Sequence, residues 1–328
     1  MKITRRQIVV GSLAGLGLVQ TSQVLAQSQY PTKPVRVIVP WVAGVPSDVA
    51  TRTVVERMAE DLKQPFVVDN RTGATGTVAI PEFLRQPADG YTIFSLNSAT
   101  LLGPVLYPNA NIDFMRDFVP IGSIDTSASV LVTSASHPSI KSMADLVDAA
   151  KKQPDGITYA SAGNGSPPHV VAEQFNQKTG VKLKHIPYAQ VSQLVVDLVS
   201  GRVDVAFLGA PLSIPQVKGE RLRALAINTV ARSSHLPTVA TFQELGIQGM
   251  DIRAFDGLLV RRGTPQDVID RLSDSLQKAL RNPAVQDTLQ KAGLELLVMK
   301  GPEFSAHMQA ESQRLTTLAR QIGVRPAE

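Results

Sequence analysis

Short apolar runs alternate with amphipathic stretches along the first part of the chain. The run VRVIVPW (35–41) is typical of a buried strand, and the segment 47–62 places apolar residues near one helical face. Further strands are predicted at FVVDN (66–70), YTIFSL (91–96) and FVPIGSID (118–125), with a helix over 77–86. This alternation is typical of sheets with parallel strands that are covered by helices.

The alternation restarts near Val130. It predicts strands at VLVTSA, ITYASA, VKLKHIPY, VDVAFLG and LRALAIN, and helices at SMADLVDAAKK, PPHVVAEQFNQKT and SQLVVDLVSG. After Ala254 the pattern is mostly helical, with helices predicted over 265–281, 283–292 and 302–321 and only two short strands. Such a tail completes an earlier sheet more readily than it builds a third domain.

The pattern therefore predicts an α/β protein of two lobes, each a mainly parallel sheet flanked by helices. Lobe 1 is predicted to comprise residues 27–126 plus 254–328, and lobe 2 residues 127–253. Because the chain leaves lobe 1 and returns to it, two segments cross between the lobes. We expect hinges near 124–129 and 250–256.

The first 26 residues have the features of a signal peptide. A basic start with Lys2, Arg5 and Arg6 precedes an apolar run from Ile8 to Val19, and small residues end the segment at Ala26. The paired arginines and a glycine-rich apolar run favour the twin-arginine route, with a general secretory leader as the alternative. The sequence thus predicts export to the periplasm, with cleavage after about Ala26.

Composition and charge exclude several classes of function. Of the 328 residues, 43% are hydrophobic and 19% charged, which is ordinary for a globular chain. The formal net charge of +5 includes the three cations of the leader, which has no acidic residue, so +2 remains. No basic cluster interleaved with aromatic residues occurs, so we expect no nucleic-acid partner.

Two further absences narrow the prediction. The chain has no cysteine, which excludes disulfides, zinc–thiolate sites and a thiol for a lipid anchor. After the leader, no run approaches the roughly 18 apolar residues that a membrane-spanning helix needs. We therefore expect a mature protein that does not itself span the membrane.

Two junctions between a strand and a helix are rich in small residues: PWVAGVPSDVATR (40–52) and SAGNGSPPHVV (161–171). Ligands of open parallel sheets bind beyond the carboxyl ends of the strands, where such junctions lie. Small side chains expose backbone N–H groups, and a helix N-terminus adds about half a positive charge. Two such N-termini across a cleft would bind a carboxylate or a phosphate without a buried lysine or arginine.

The prolines define the second junction further. Pro167 suits the first helical position, and neither it nor Pro168 has an N–H to donate. If Ser166 is the N-cap, its hydroxyl should accept the N–H of His169, and an anion must rely on the amides of residues 163–165. The helix dipole should keep His169 neutral. The alternative is that this junction is only a tight connection.

Catalytic, nucleotide and metal signals are weak. The five histidines show no HExxH spacing, and no Gly-x-Ser-x-Gly elbow occurs. A dyad of Ser166 and His169 is conceivable, but the sequence supplies no third group to orient it. The glycine motifs fit neither dinucleotide nor phosphate-loop patterns, so we predict no cofactor and no metal. Asp48 and Arg52 are an i,i+4 pair that suits either a solvated helix face or a ligand contact.

An ordered set of motifs resembles the solute receptors of tripartite tricarboxylate transporters, the Bug (Bordetella uptake gene) or TctC-like family. The matching segments are YPTKPVRVIVPW (30–41), DNRTGATGTVA (69–79), PADGYTIF (87–94), TYASAGNGSPPH (158–169), HIPY (185–188), LRALAI (222–227), LPTVATFQELG (236–246) and GLLVRRGTP (257–265). The resemblance implies a periplasmic-binding-protein (Venus-flytrap) fold that closes on a small ligand and delivers it to a membrane permease.

The resemblance also implies a set of ligand-binding residues in the cleft between the lobes. They come from both junctions, from the segment NSAT (97–100), from GAP (209–211) and from RAFDG (253–257): Trp41, Val42, Ala43, Gly44, Ser47, Asp48, Ser98, Thr100, Ser161, Gly163, Asn164, Gly165, Ser166, His169, Gly209, Ala210 and Asp256.

Two departures from the family pattern bear on the ligand. Relatives typically read Pro-Phe-Pro-Pro-Gly-Gly at the first junction, where Trp41 and Val42 make this chain more apolar. If Asp256 faces the pocket it favours an amine or hydroxyl on the ligand, and if Arg253 does it favours a second carboxylate. Both lying on the surface is the alternative.

We therefore predict an exported, monomeric, non-enzymatic receptor for a small organic acid, with a membrane permease as its partner. Candidate ligands are aliphatic di- and tricarboxylates, amino acids and aromatic acids, with a slight preference for the less polar acids. Two alternatives stay open: a ligand-sensing subunit for a membrane signalling protein, and an exported hydrolase that uses Ser166 and His169.

Overall fold

A computed structural model describes residues 30–164, 166–321 and 323. The predicted leader, residues 1–26, lies outside the described residues. The strands are β1 (Val35–Val39), β2 (Phe66–Asn70), β3 (Thr92–Asn97), β4 (Phe118–Ser127), β5 (Ser129–Ser134), β6 (Thr158–Ser161), β7 (Lys184–Pro187), β8 (Val205–Gly209), β9 (Leu222–Ile227), β10 (Ala254–Arg261) and β11 (Glu295–Leu296).

The helices cover both sheets. They are α1 (Pro46–Leu62), α2 (Ala79–Leu84), α3 (Gly103–Leu106), α4 (Phe114–Asp117), α5 (Met143–Lys152), α6 (Pro167–Thr179), α7 (Val191–Val199), α8 (Ala210–Lys218), α9 (Gln266–Leu280), α10 (Pro283–Lys291) and α11 (Gly301–Gln321). A 3₁₀ turn, Ser98–Leu102, follows β3. None of the helices in the described part of the chain is both long and apolar enough to cross a membrane.

The strands form two sheets, which confirms the two-lobed α/β prediction. The six-stranded sheet has the order β11-β4-β10-β3-β1-β2, and the five-stranded sheet has the order β7-β6-β8-β5-β9. Parallel pairing is confined to β1 with β2 and β3, and to β6 with β7 and β8. The sheets are thus mixed rather than mainly parallel, because β5 and β10, next to the two crossings, pair antiparallel with their neighbours.

The chain passes between the sheets at two places that lie side by side. Ala128 alone separates β4 from β5, and the segment 250–253 leads back into β10. Asn228 joins the two crossings, since its side chain accepts the N–H of Ser129 at 2.6 Å and donates to the carbonyl of Ile252. The lobe boundaries and the hinges stay predictions.

Aromatic side chains fill the space between each sheet and its helices. Phe83, Phe94 and Phe118 pack with ring centroids 5.2–5.6 Å apart under the first sheet. Burying each ring contributes about 2–3 kcal/mol. Helix α11 extends this core across both lobes, because its buried residues Phe304 and Leu318 belong to one continuous cluster with the side chains of α6.

Candidate functional site

The first loop, residues 40–45, leads from β1 into α1 and presents its tip to solvent. Val42, Ala43 and Gly44 are exposed, while Trp41 is half-buried against the core of lobe 1. Gly44 has a φ of +85°, a left-handed conformation that glycine adopts at low cost. Pro46 then starts α1 from an extended N-cap at Val45. The N–H groups of the first helical turn, at Ser47 and Asp48, have no partner within the helix.

Asp48 holds the first loop in place from beneath. It is 1% exposed, and its Oδ2 accepts the N–H of Gly44 and the Nε–H of Arg52, each at 2.9 Å. Its Oδ1 accepts Asn70 Nδ2 at 2.8 Å, and the same amide donates to the carbonyl of Trp41 at 2.8 Å. Burial acts to raise the pKa of Asp48, but the bonds from Arg52, Gly44 and Asn70 prevail and lower it. Asp48 thus stays ionised and fixes the loop conformation.

The second loop, residues 162–166, leads from β6 into α6. Ser166 is the N-cap, as predicted, but its hydroxyl does not cap the helix. That hydroxyl donates to the carbonyl of Gly163 at 2.7 Å and accepts no N–H from the described first turn of α6, so the expected bond from the N–H of His169 is wrong. Gly163 has a φ of +104°, and its turn brings its carbonyl back toward Ser166. Asn164 is exposed at the tip, and Gly165 lies outside the described residues.

A cluster of three rings, Tyr159, His169 and His185, lies beside the second loop. The His185 ring is 4.8 Å from Tyr159 and 4.3 Å from His169, with planes within 20° of parallel. Burial lowers the pKa of His169, although the negative charge of Glu173 opposes the shift. Burial, followed by the proximity of His169, lowers the pKa of His185 to about 4. Both imidazoles are therefore neutral near pH 7; for His169 the cause is burial, whereas the sequence analysis expected the helix dipole to act.

The end of β3 and the 3₁₀ turn Ser98–Leu102 lie near the starts of two helices. Asn97 Nδ2 donates to Ser47 Oγ at the start of α1, at 3.1 Å. Ser98 and Pro167, at the start of α6, line the same small cavity of about 30 Å³, together with Val170 and Arg253. The starts of α1 and α6 therefore both lie near residues 97–98, and the anion site between them stays a prediction.

Two carboxyl groups lie side by side below this turn. Asp125 and Asp256 are directly opposite each other in the antiparallel register of β4 and β10, and both are buried. Asp256 Oδ1 accepts Asn97 Nδ2 at 2.9 Å, whereas neither oxygen of Asp125 has a hydrogen-bond donor among the described residues.

In the described part of the chain, no lysine, arginine or histidine forms an ion pair with either carboxyl group. Burial raises the pKa of Asp256 to about 6, although bonds from Asn97, Ser47 and Asp125 oppose the shift. Burial and the neighbouring carboxyl raise the pKa of Asp125 still more strongly. A single proton shared by the two groups removes their repulsion, so the pair carries at most one charge near neutral pH.

The other predicted residues occupy varied positions. The Ser98 hydroxyl accepts the N–H of Phe255 at 3.2 Å, and the N–H of Ala210 donates to Ala128 at 2.7 Å, next to the half-buried Gly209. Thr100 is fully buried, and its hydroxyl has no partner within the described residues. Arg253 forms an ion pair with Glu295 at 3.3 Å. The Ser98 hydroxyl therefore connects the 3₁₀ turn to β10, and the Ala210 N–H connects the start of α8 to the crossing at Ala128.

Two contributors, Asn70 and His185, escaped the sequence analysis, and a third, Asn97, lies in the predicted segment NSAT (97–100) without having been singled out. Asn70 and Asn97 end β2 and β3, the strands on either side of β1, at the edge where the first loop begins. The sequence signal that could have identified these two asparagines is their position at the ends of parallel strands, where ligands of such sheets bind. His185 becomes a neighbour of Ser161 only through the pairing of β6 with β7.

The geometry offers little for catalysis or metal binding. Because the Ser166 hydroxyl donates its single proton to Gly163, it does not donate that proton to His169 as a nucleophile would. Across the residues that the structure describes, no three His, Asp or Glu side chains form a group that could hold a metal ion. The arrangement is instead suited to holding an anion with backbone dipoles.

Comparisons with known proteins identify the family of the chain. The family model described as tripartite tricarboxylate transporter family receptor (TctC) matches residues 50–324. Protein BugT of Bordetella pertussis is 30% identical over 330 residues, which is 99% of each chain. A Pseudomonas sp. (strain P51) protein from the tcbD-tcbE intergenic region is 32% identical over 89% of this chain and 87% of its own length.

Solved structures show the same fold. The periplasmic binding protein BugD superposes with a TM-score of 0.78 at 28% identity, over 90% of this chain and 100% of its own. An R. palustris protein solved with adipate superposes with a TM-score of 0.80 at 28% identity, over 90% of this chain and 99% of its own. Because the family model covers most of the sequence and the fold agrees throughout, the chain belongs to the tripartite tricarboxylate transporter receptor family.

Proposed function

We propose that this protein binds a small organic carboxylate in the cleft between its lobes and delivers it to a tripartite tricarboxylate-type membrane permease. The observation that carries the proposal is the approach of two helix N-termini, those of α1 and α6, to the Ser98 turn. Helix N-termini favour anions through unpaired N–H groups and the helix dipole. Family membership and the relative solved with adipate support a carboxylate as the anion.

Each lobe contributes one half of the proposed site. In lobe 1, the first-turn amides of α1 and the exposed tip of the first loop face the ligand, with Asp48 as their support. In lobe 2, the second loop contributes backbone N–H groups. Closure at Ala128 and 250–253 removes the ligand from water, which strengthens each hydrogen bond to it. We place export to the periplasm, by the predicted leader, before this step, with the receptor acting as a monomer.

The Asp125–Asp256 pair limits which ligands fit. A partly ionised carboxyl pair without a cation repels a second carboxylate that approaches it. The far end of the ligand therefore lies away from Asp256 or carries a hydrogen-bond donor. Hydroxy acids, amino acids and long dicarboxylates are therefore candidate ligands.

A thermal-shift panel tests the proposal. Adipate, malate, citrate, glutamate and benzoate are each titrated, with an equal concentration of chloride as the ionic-strength control. A ligand at 100 times its Kd stabilises the folded protein by about 2.7 kcal/mol, which moves the melting temperature measurably. At least one carboxylate should do so in the wild type and not in a Gly163→Val variant. No shift with any carboxylate, or an equal shift in the variant, contradicts the proposed site.

A transport receptor and a sensing subunit would bind the ligand in the same pocket. They would differ in the membrane partner, which is a permease in the first case and a signalling protein in the second. Deletion of the gene should abolish uptake of the ligand if the receptor serves a permease. Unchanged uptake, with loss of a transcriptional or behavioural response to the ligand, would favour the sensing role instead.

A further inference from the structure

The Ser161 hydroxyl connects the second loop to a neighbouring strand. Ser161 ends β6 and is fully buried, and its Oγ is 2.6 Å from Nε2 of His185 on β7. The N–H of Gly163 donates to the same Oγ at 3.1 Å, and the Gly163 carbonyl lies 3.1 Å from it. In either neutral tautomer of the imidazole, the hydroxyl therefore joins Nε2 to the Gly163 peptide.

Gly163 depends on this support because it has no side chain of its own to hold it. Its φ of +104° is open to few residues other than glycine, and among the described residues nothing lies within 4 Å of where a Cβ would be. Hydrogen bonds rather than side-chain packing therefore fix the peptide. Its conformation depends on the hydroxyls of Ser161 and Ser166, which bond its two ends.

The imidazole of His185 is itself held in one orientation. Tyr159 and His169 stack against it at 4.8 and 4.3 Å, and the Tyr159 hydroxyl donates to Glu173 at 2.5 Å. Glu173 is the acidic group nearest this cluster, and no lysine or arginine contributes to the pKa shift of either histidine. A neutral, immobile ring is well suited to orienting a hydroxyl.

We propose that His185 is a positioning residue for ligand binding: it orients Ser161 and, through Ser161, presets the Gly163 peptide for the carboxylate. The inference rests on the proposed function of the second loop. His185 contributes to affinity by preorganisation, because a loop that is already in its bound conformation loses less entropy when the ligand binds.

Two substitutions at one position separate the hydrogen bond from the packing. His185→Phe keeps a flat ring in the stack but cannot bond Ser161. His185→Gln loses the stack but places an amide near the position of Nε2. His235→Phe is the matched control, because His235 is a half-buried histidine of the same lobe, far along the chain from the loop.

Two readouts are compared: the Kd for adipate, or for the panel carboxylate that stabilises the wild type most, and the hydrogen-exchange rate of the Gly163 amide by NMR without ligand. We expect His185→Phe to raise the Kd about tenfold, the effect of one lost hydrogen bond, and to speed Gly163 exchange. His185→Gln should recover most of both losses, and His235→Phe should change neither. Ser161→Ala and His185→Phe combined should weaken binding by less than the sum of their separate effects, since both act through one hydroxyl.

Several outcomes overturn the proposal. They are a wild-type Kd in His185→Phe, a glutamine variant that binds no better than the phenylalanine variant, and additive losses with Ser161→Ala. If the wild type binds no carboxylate, the proposed function fails, and the Gly163 exchange rate alone decides the role of His185. Unchanged exchange in His185→Phe then rejects it.

Discussion

The first and second loops are fixed by different chemistry, although each leads from a parallel strand into a helix that begins with proline. The first is held by an ionised, buried carboxylate, Asp48, which Arg52 and Asn70 support. The second is held by neutral groups, namely two serine hydroxyls and the imidazole of His185. Charge-assisted bonds are about twice as strong as neutral ones. We infer that both loops are preset and that the first loop is the more strongly held of the two.

The two helix starts also differ in the donors that they offer. In α1 only Pro46 lacks an N–H, so Ser47 and Asp48 keep theirs in the first turn. In α6 both Pro167 and Pro168 lack one. The helix dipole acts at both ends, but α1 has more hydrogen-bond donors to direct at an anion. We therefore expect lobe 1 contacts to contribute more to the affinity for the ligand, and lobe 2 contacts to contribute more to the selection among ligands.

The largest expected effect comes from removing the charge beneath the first loop. Asp48→Ala leaves the N–H of Gly44 and the side chains of Arg52 and Asn70 without their acceptor. We expect urea denaturation to show a free energy of unfolding lower by about 3 kcal/mol. Asp48→Asn keeps an acceptor oxygen and should lose less.

A surface pair provides the control for this result. Asp287 and Lys291 are also an acid and a base four residues apart on a helix, but both are exposed. Asp287→Ala should therefore leave stability unchanged within error. Equal losses in Asp48→Ala and Asp287→Ala would show that burial of Asp48 contributes nothing.

A second effect concerns the buried acid pair of lobe 1. Because the folded-state pKa of Asp256 is raised to about 6, the folded protein loses stability as pH rises from about 4 through 6. Asp125→Asn removes the like charge and supplies a donor to Asp256. We expect it to stabilise the protein at pH 8 by on the order of 2 kcal/mol and to flatten the stability profile from pH 4 to 8. A profile parallel to the wild type would show that the two carboxyls are not coupled.

A smaller effect is expected at the N-cap of the second loop. Ser166→Ala removes the bond to the Gly163 carbonyl but no helix-capping bond. Chemical denaturation should show a loss of about 1 kcal/mol. A loss of 2 kcal/mol or more, with fraying of α6 by hydrogen exchange, would mean that the serine caps the helix after all.

A further effect is the acid sensitivity of lobe 2. The folded-state pKa of His185 is lowered to about 4, so the unfolded chain binds the proton more readily. Stability that is present above about pH 6.5 is therefore lost as pH falls toward 4. His185→Phe should show a shallower loss over this range in urea titrations. An identical slope would assign the acid sensitivity to other groups.

Local signals were enough to predict most of the secondary elements and the two loops, although the helices α3, α4 and α8 were missed. The period of apolar residues located α1, α9 and α11 to within two residues, and proline marked the start of α6. The partners of each loop could not be predicted in the same way. Asp48 meets Asn70 because β1 and β2 pair in parallel, and Asp125 meets Asp256 because of the register of β4 and β10.

The same limit explains the error at Ser166. Local spacing favours a cap on the N–H of His169, but the turn at Gly163 places a carbonyl 2.7 Å from the hydroxyl, and the side chain is oriented toward that carbonyl rather than toward the helix. Pairing between strands that are distant in sequence depends on the whole sheet. Side-chain contacts that depend on strand register therefore have to be taken from the structure. Contacts within a single strand–helix junction can be predicted from the sequence.

The most direct test of the account is a crystal structure of the protein with the carboxylate that stabilises it most. We predict that carboxylate oxygens accept backbone N–H groups from the first turn of α1 and from the second loop, with the lobes closed over the ligand. A carboxylate bound outside the cleft, or held in it by arginine or lysine side chains with both loops uninvolved, would contradict the account.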